Sequence, residues 1–432
     1  MHIVQQPLLD FNQFFTLDES DRLQLVLKTI EAEKLLHALQ SKNPLGPTGY
    51  PARTLWAALL AGVVHRIPSV AELQRHLRMN PYLRMVCGIT SSAKVPSEST
   101  FSRFLSRLVG NEALLEECLA NLVQRFAALA PGFGEVVAID STDIHAYSRG
   151  KKSGAADPDA AWGAKGTKDS KSRRAKQAIV PKEVKQKTTK EKDKYYWFGY
   201  KLHLLVDGKY EVPIAATVTP ANTPDTKQLP SLLEKREALL PFTPLKVCTA
   251  DAGYDSMANI LAITKRKAIP VIPLNPGNEK APPGITNTLG TPLCPVGLPM
   301  LYWGRDGHYL KYRCPEKSGL FCCLRQQEAV SRCTTSDYGL VVKLDMRDNP
   351  RRYVPVPRET KQWSRLYKQR TAVERVNSRL KEVLILDDLR VRGVQKVKVR
   401  VGLNLLVMLA IAVAMAERNR LKDCRRLLTA AA

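Results

Sequence analysis

Leu245-Lys246-Val247-Cys248-Thr249-Ala250-Asp251 is a short apolar run that ends in a carboxylate. Its length and β-branched content predict a buried strand. A helix from Ser256 to Lys267 and a further strand, Ala268-Ile269-Pro270-Val271-Ile272-Pro273-Leu274, are expected after it. Before it, Asp225 to Leu240 reads as a helix. Earlier still, Tyr196 to Asp207 and Glu211 to Thr219 read as two strands joined by a hairpin at Asp207-Gly208. Val136-Val137-Ala138-Ile139-Asp140 opens the first strand, read to residue 148, and its apolar part also ends in a carboxylate. Strands alternating with helices in this order predict an α/β core, a mixed five-stranded sheet with helices on its faces.

The flanks read differently. Residues 1–130 are helical throughout, with one helix expected from Asp18 to Leu39 and another after Pro51 that turns Leu55, Leu59, Leu60 and Val63 inward. Ser69 is a good cap for a third, Pro81 breaks the chain, and Pro96 to Phe101 opens a helix carrying Arg103 and Arg107. The pattern suggests a helix-turn-helix whose Arg103 and Arg107 reach DNA, although a plain helical bundle gives the same pattern. Residues 149–194 are rich in Lys, Gly, Ser and Asp and are expected as a loop, lying against phosphates or merely solvated. Residues 276–356, rich in Pro, Gly and Cys, read as a β-rich insertion. A long helix, Gln362 to Val383, and a final apolar helix over about 400–419 complete the core. The expected division is a helical DNA-binding domain (1–130), the first part of the core (131–275), the insertion (276–356) and the closing helices (357–432).

The formal net charge is +25. A positive field of that size calls for a polyanion, nucleic acid first and an anionic membrane surface second. Met1 to Leu17 lacks the pattern of a secretion signal. Val401 to Ala416 falls short of the roughly 20 residues that span a bilayer and contains Asn404, so it is expected as a buried core helix. Nine cysteines, an odd number, point to a reducing compartment rather than a disulfide framework. A cytoplasmic, DNA-associated protein is expected, with no membrane partner.

The helix from Gln362 to Val383 is chemically the most informative segment. At about 100° per residue, with Tyr367 at zero, Arg370, Glu374 and Lys381 fall at roughly 300°, 340° and 320°. Val373, Val376, Leu380 and Val383 fall at about 160–240°, on the opposite face. One face therefore packs on a core, while the other presents a carboxylate flanked by a phenol, a guanidinium and an ammonium. For an isolated helix this would be a solvated face. If Glu374 meets Asp140 and Asp251, the three charges repel one another unless a cation neutralises them. Hard oxygen ligands select Mg²⁺ or Mn²⁺, and two such ions would activate a water or 3′-hydroxyl against a phosphodiester. Gly253 in Ala252-Gly253-Tyr254 is expected to let the chain turn sharply after Asp251.

Together these segments resemble the DDE transposases of bacterial insertion sequences, in the group with a Tyr-Arg-Glu-Lys helix. The matching residues are Ala138-Ile139-Asp140-Ser141-Thr142, Gly199-Tyr200-Lys201-Leu202-His203, Thr219-Pro220-Ala221-Asn222, Ala250-Asp251-Ala252-Gly253-Tyr254, and Tyr367, Arg370, Glu374 and Lys381 at the signature spacing. Tyr50 to Leu108 also looks like the helical domain that precedes this core. The resemblance covers nearly the whole chain and implies a ribonuclease H-like fold with the first and fourth strands adjacent. It implies Asp140, Asp251 and Glu374 as ligands of two Mg²⁺ or Mn²⁺ ions, with Tyr367, Arg370 and Lys381 holding phosphates of the transposon end. It also implies double-stranded DNA partners, terminal inverted repeats and target, and a homodimer in the synaptic complex. The segment 149–194 departs from the family in its length and lysine content.

Other residues carry weaker signals. Asp143 and Asp255 are supporting residues at most, and Asp143, three along the strand, is expected to face away from Asp140. Cys314, Cys322, Cys323 and Cys333, with Cys294 and His308 nearby, admit a structural Zn²⁺ or ordinary thiols. His203 reads as a hydrogen-bonded strand residue. A nuclease or resolvase that cuts without joining, and a non-catalytic DNA-binding descendant of a transposase, remain alternatives.

Overall fold

A computed structural model of the chain describes residues 22–40, 49–150, 156–166, 194–275, 277, 286–317, 333–334 and 336–427. The N-terminal part is helical: α1 (Arg22–Thr29), α2 (Glu33–Leu39), α3 (Ala52–Val64), α4 (Val70–Met79), α5 (Pro81–Val86), α6 (Glu98–Val109) and α7 (Glu112–Leu129). The single helix expected up to Leu39 is two. Thr29 turns its hydroxyl back onto the Leu25 carbonyl (2.8 Å), and its own carbonyl accepts from Arg125 (2.7 Å), so the chain bends there. The start of that helix, at Asp18, lies outside the described residues. Pro81 does not simply break the chain. Asn80 caps Leu83 (3.0 Å) and Pro81 takes the first helical position, where its missing N–H costs nothing.

The sheet has six strands, one more than expected. They are β1 (Val136–His145), β2 (Ala161–Gly166), β3 (Lys194–Asp207), β4 (Pro213–Pro220), β5 (Val247–Ala250) and β6 (Ile269–Val271). The order is β2-β3-β1-β5-β6, with β4 also on β3. β1 runs antiparallel to β3 and parallel to β5. The extra strand, β2, lies within the segment expected as a loop, pairing with β3 from Ala161↔Gly199 to Gly166↔Lys194. Residues 151–155 and 167–193 of that segment lie outside the described residues. At Gly199 a side chain is excluded, because a Cβ there would run into the Ile144 carbonyl oxygen. The turn between β3 and β4 is longer than the two-residue hairpin expected. Asp207 organises it, accepting from the amides of Lys209 (2.9 Å), Tyr210 (2.6 Å) and Gly134 (2.7 Å).

α8 (Gln228–Leu239) and α9 (Met257–Lys265) connect the later strands, and a second sheet of β7 (Leu301–Asp306), β8 (Tyr309–Arg313) and β9 (Val341–Asp345) forms the insertion. Buried Asp255 ties that insertion to the core through Arg351 (3.0 and 2.9 Å) and the Asn275 amide (2.6 Å). The expected helix from residue 362 to 383 is a composite: α10 (Lys361–Tyr367), a 3₁₀ turn (Lys368–Arg370), α11 (Thr371–Ser378) and a π turn (Arg379–Val383). Val373, Val376 and Leu380 are buried as expected. α12 (Val394–Glu417) is long and apolar enough to cross a membrane, but 94% of its apolar window is buried in the protein. It packs against α7, α1 and β4, so the N-terminal helices and the sheet share one apolar core.

Candidate active site

In the parallel ladder Ile139 pairs with Ala250. The next residue on each chain is an aspartate, so Asp140 and Asp251 leave the ladder side by side. Each is fixed by a neighbouring main-chain amide. Asp140 Oδ1 accepts from Ser141 N–H (2.8 Å), and Asp251 Oδ1 accepts from Gly253 N–H (2.9 Å) at the head of a 3₁₀ turn. Gly253 adopts no left-handed backbone angle; a Cβ there would stand 3.0 Å from the Asp251 carboxylate, which would have to shift to admit it.

The composite helix crosses β1 and places Arg370 between the other acidic groups. Its guanidinium donates to Glu374 Oε1 (2.8 Å) and lies 3.9 Å from Asp140 Oδ2. It also sits over the Tyr367 ring at 5.5 Å, and Tyr367 in turn stacks on Trp363. Burial and the adjacent Asp251 charge push the Asp140 carboxyl up to about 7, against the pull of the Ser141 amide, Lys165 and Arg370. Asp251 is raised by burial and, after the opposing Gly253 amide, by Asp225.

Lys381 lies in the π turn that follows Ser378. Its ammonium meets Asp143 (3.4 Å) and Asp387 (3.0 Å). Asp143 also takes Lys165 (3.4 Å), and these two lysines outweigh burial to hold its carboxyl below the usual range.

Sequence reasoning missed Asp225. It accepts from Ser141 Oγ (3.0 Å) and Lys201 Nζ (2.9 Å) and lies 3.9 Å from His203 Nδ1. The available signal was Lys201-Leu202-His203, whose first and third residues point to the same side of a strand. Nothing marked Asp225 itself apart from its place at a helix start. His203 is fully buried, lies 2.9 Å from the Thr219 hydroxyl, and is pushed down to about 4 by burial, despite Asp225.

The remaining expected residues are scattered. Arg103 is exposed and, among the described residues, donates to the Ser99 carbonyl of its own helix (3.3 Å). Arg107 is partly buried and joins α6 to α2 through the Leu39 carbonyl (2.7 Å). Cys294 packs in the small apolar core of the insertion, Cys314 is partly buried and Cys333 is exposed. Cys322 and Cys323 lie outside the described residues.

Asp140, Asp251 and Glu374 offer only carboxylate oxygens, the donor set of a hard divalent cation. Burial and crowding raise both aspartates, and a bound cation would reverse that cost. Among the described residues, no three His, Cys, Asp or Glu side chains stand gathered as a ready metal cage. Glu374 is held in an ion pair by Arg370.

Residues 131–410 match the pattern that defines the transposase DDE domain, and residues 10–107 match a second transposase domain, of unknown function (772). No curated protein matches the chain. Among solved structures it is similar to a piggyBac transposase in a synaptic complex with hairpin DNA. The identity is 11% and the TM-score 0.40, over 95% of this chain and 80% of that one.

Proposed function

The chain belongs to the DDE-domain transposases, and we propose that it binds the ends of an insertion sequence, cleaves the DNA there and joins the free 3′-hydroxyls to target DNA. The observation that carries this reading is the pairing of Ile139 with Ala250, which sets Asp140 and Asp251 together beneath the helix bearing Arg370 and Glu374. The order β4-β3-β1-β5-β6 supports a ribonuclease H-like core. Asp140, Asp251 and Glu374 would hold two Mg²⁺ or Mn²⁺ ions, which supply an activated water or 3′-hydroxyl and stabilise the leaving oxygen.

The chain's own groups position the strand. In the DNA-free protein Arg370 shields Glu374 from Asp140. A phosphate of the transposon end offers its guanidinium a bidentate partner, so DNA entry would release Glu374 toward the aspartates. The Tyr367 ring lies 5.5 Å from that guanidinium and helps to place it. Lys381 would exchange Asp143 or Asp387 for a second phosphate. The net charge of +25 supports double-stranded DNA as the partner. We further propose that two copies of the chain act in the synaptic complex, in a cytoplasmic setting at the nucleoid.

The test is a labelled end fragment incubated with protein, Mg²⁺ and a supercoiled target. Cleavage at the end followed by joined product is expected. Cleavage without joining would reduce the activity to that of a nuclease, and failure to cleave any end of its own element would overturn the reading.

A further inference from the structure

The helix bearing Glu374 is gripped on another side by a carboxylate that belongs to no strand end. Glu211 lies in the turn between β3 and β4, with its side chain only 4% exposed. Oε1 accepts from Arg375 Nε (2.7 Å) and Arg425 Nη1 (2.9 Å), and Oε2 lies 3.2 Å from Arg379 Nη2. Arg379 also donates to the Glu211 carbonyl (2.9 Å) and to the Arg425 carbonyl (2.9 Å). One buried carboxylate thus joins the turn, α11 and the C-terminal segment.

Two features set this cluster apart from an ordinary surface ion pair. Arg375 is the residue after Glu374, and Arg379 follows one turn later, so both reach Glu211 from one side of the helix. Fixing that side fixes the helix rotation, and the neighbouring ridge of Arg370 and Glu374 is set with it. Glu211 also holds a left-handed backbone angle, φ 56°, which is costly for a residue with a long side chain and persists only where surrounding contacts dictate it.

We propose that Glu211 is a positioning residue, which sets the rotation of α11 so that Glu374 and Arg370 stand opposite Asp140 and Asp251. This rests on the reading of Glu374 as a ligand-bearing catalytic group. The alternative is a contact that serves stability alone.

Full-length variants decide between them. Single-turnover cleavage of pre-bound end DNA would be followed against Mg²⁺ concentration, alongside end-DNA affinity and thermal midpoint. Glu211→Gln should lower the maximal rate by about tenfold or more and raise the Mg²⁺ half-saturation several-fold, since sub-ångström placement governs such steps. End-DNA affinity should stay within about twofold of wild type, because the clamp does not face the end-binding groups. Glu211→Gly relieves the backbone angle, so it should fail in catalysis even where it folds well. Glu211→Asp keeps a carboxylate and should recover part of the rate. Arg425→Gln removes one arm from outside the helix and should show the same Mg²⁺ shift in smaller measure, which keeps the test open if the Glu211 variants are unstable. Wild-type rate and Mg²⁺ dependence in Glu211→Gln and Glu211→Gly, or a lowered thermal midpoint with neither change, overturns the proposal. Glu374→Gln is run beside them. If it cleaves normally, the reading of the site fails. If it is inactive while the Glu211 variants are normal, only the clamp fails.

Discussion

The two aspartates and the glutamate are held by different means. Asp140 and Asp251 stand on hydrogen-bonded parallel strands, each anchored by a main-chain amide at 2.8 or 2.9 Å. Glu374 sits on a helix, its side chain 49% exposed, and is held by another side chain, Arg370. The strand pair is preformed at the cost of crowding two carboxylates, as the raised Asp140 shows. The helix partner is half exposed and, among the described residues, held by a side chain alone. One half is therefore fixed by the backbone and the other by a side-chain ion pair.

The largest effects should come from breaking either half. Asp140→Asn, Asp251→Asn and Glu374→Gln are expected to lower cleavage and joining by at least about 10²–10³-fold, the scale on which a preorganised charged group contributes, while end binding persists. Gel-shift and strand-transfer assays on the same samples measure both. The halves should differ under conservative change: Asp140→Glu should be as inactive as Asp140→Asn, whereas Glu374→Asp keeps some activity.

Arg370→Ala comes next. It should slow cleavage and weaken assembly on the end, yet leave Mg²⁺ binding to the free protein unchanged or tighter, because Glu374 loses its competing partner. Calorimetric titration of the DNA-free variant reads this directly, and weakened Mg²⁺ binding would contradict it. Lys381→Ala should act in the same direction with a smaller effect, since Asp143 keeps Lys165.

Much of this division was legible in the sequence. The alternation of apolar runs gave the core strands and their helices, and the spacing of Val373, Val376 and Leu380 gave the buried face of α11. The rest depended on contacts between distant residues. β2 lies in a polar segment and exists through its ladder with β3, which local propensity does not report. The π turn at Arg379–Val383, which carries Lys381 to Asp143, is not contained in any periodicity rule. Asp225 and Glu211 matter through partners 84 and 164 residues away, respectively, a separation that spacing cannot bridge.

Two smaller effects probe the surroundings. Replacing the lysines between residues 168 and 192 by glutamine should flatten the fall of log K for DNA with log salt and leave end preference unchanged. Filter binding across a salt series checks this, and an unaltered slope would remove that segment from the interface. Asn404→Ala should affect stability alone. Asn404, buried on α12, donates to the Leu384 carbonyl (2.9 Å) just after the π turn, and leaving that acceptor unpaired costs about 1–3 kcal/mol. Chemical denaturation should show this loss, with cleavage of the folded fraction unchanged.

The central claim is that these three carboxylates form one metal site. Its most direct test is the number and affinity of Mn²⁺ ions bound to the protein assembled on uncleaved end DNA, followed by the electron paramagnetic resonance of free Mn²⁺. The account predicts two ions per active site in the wild type, with at least one lost or greatly weakened in Asp140→Asn. The same stoichiometry and affinity in Asp140→Asn as in the wild type would contradict it.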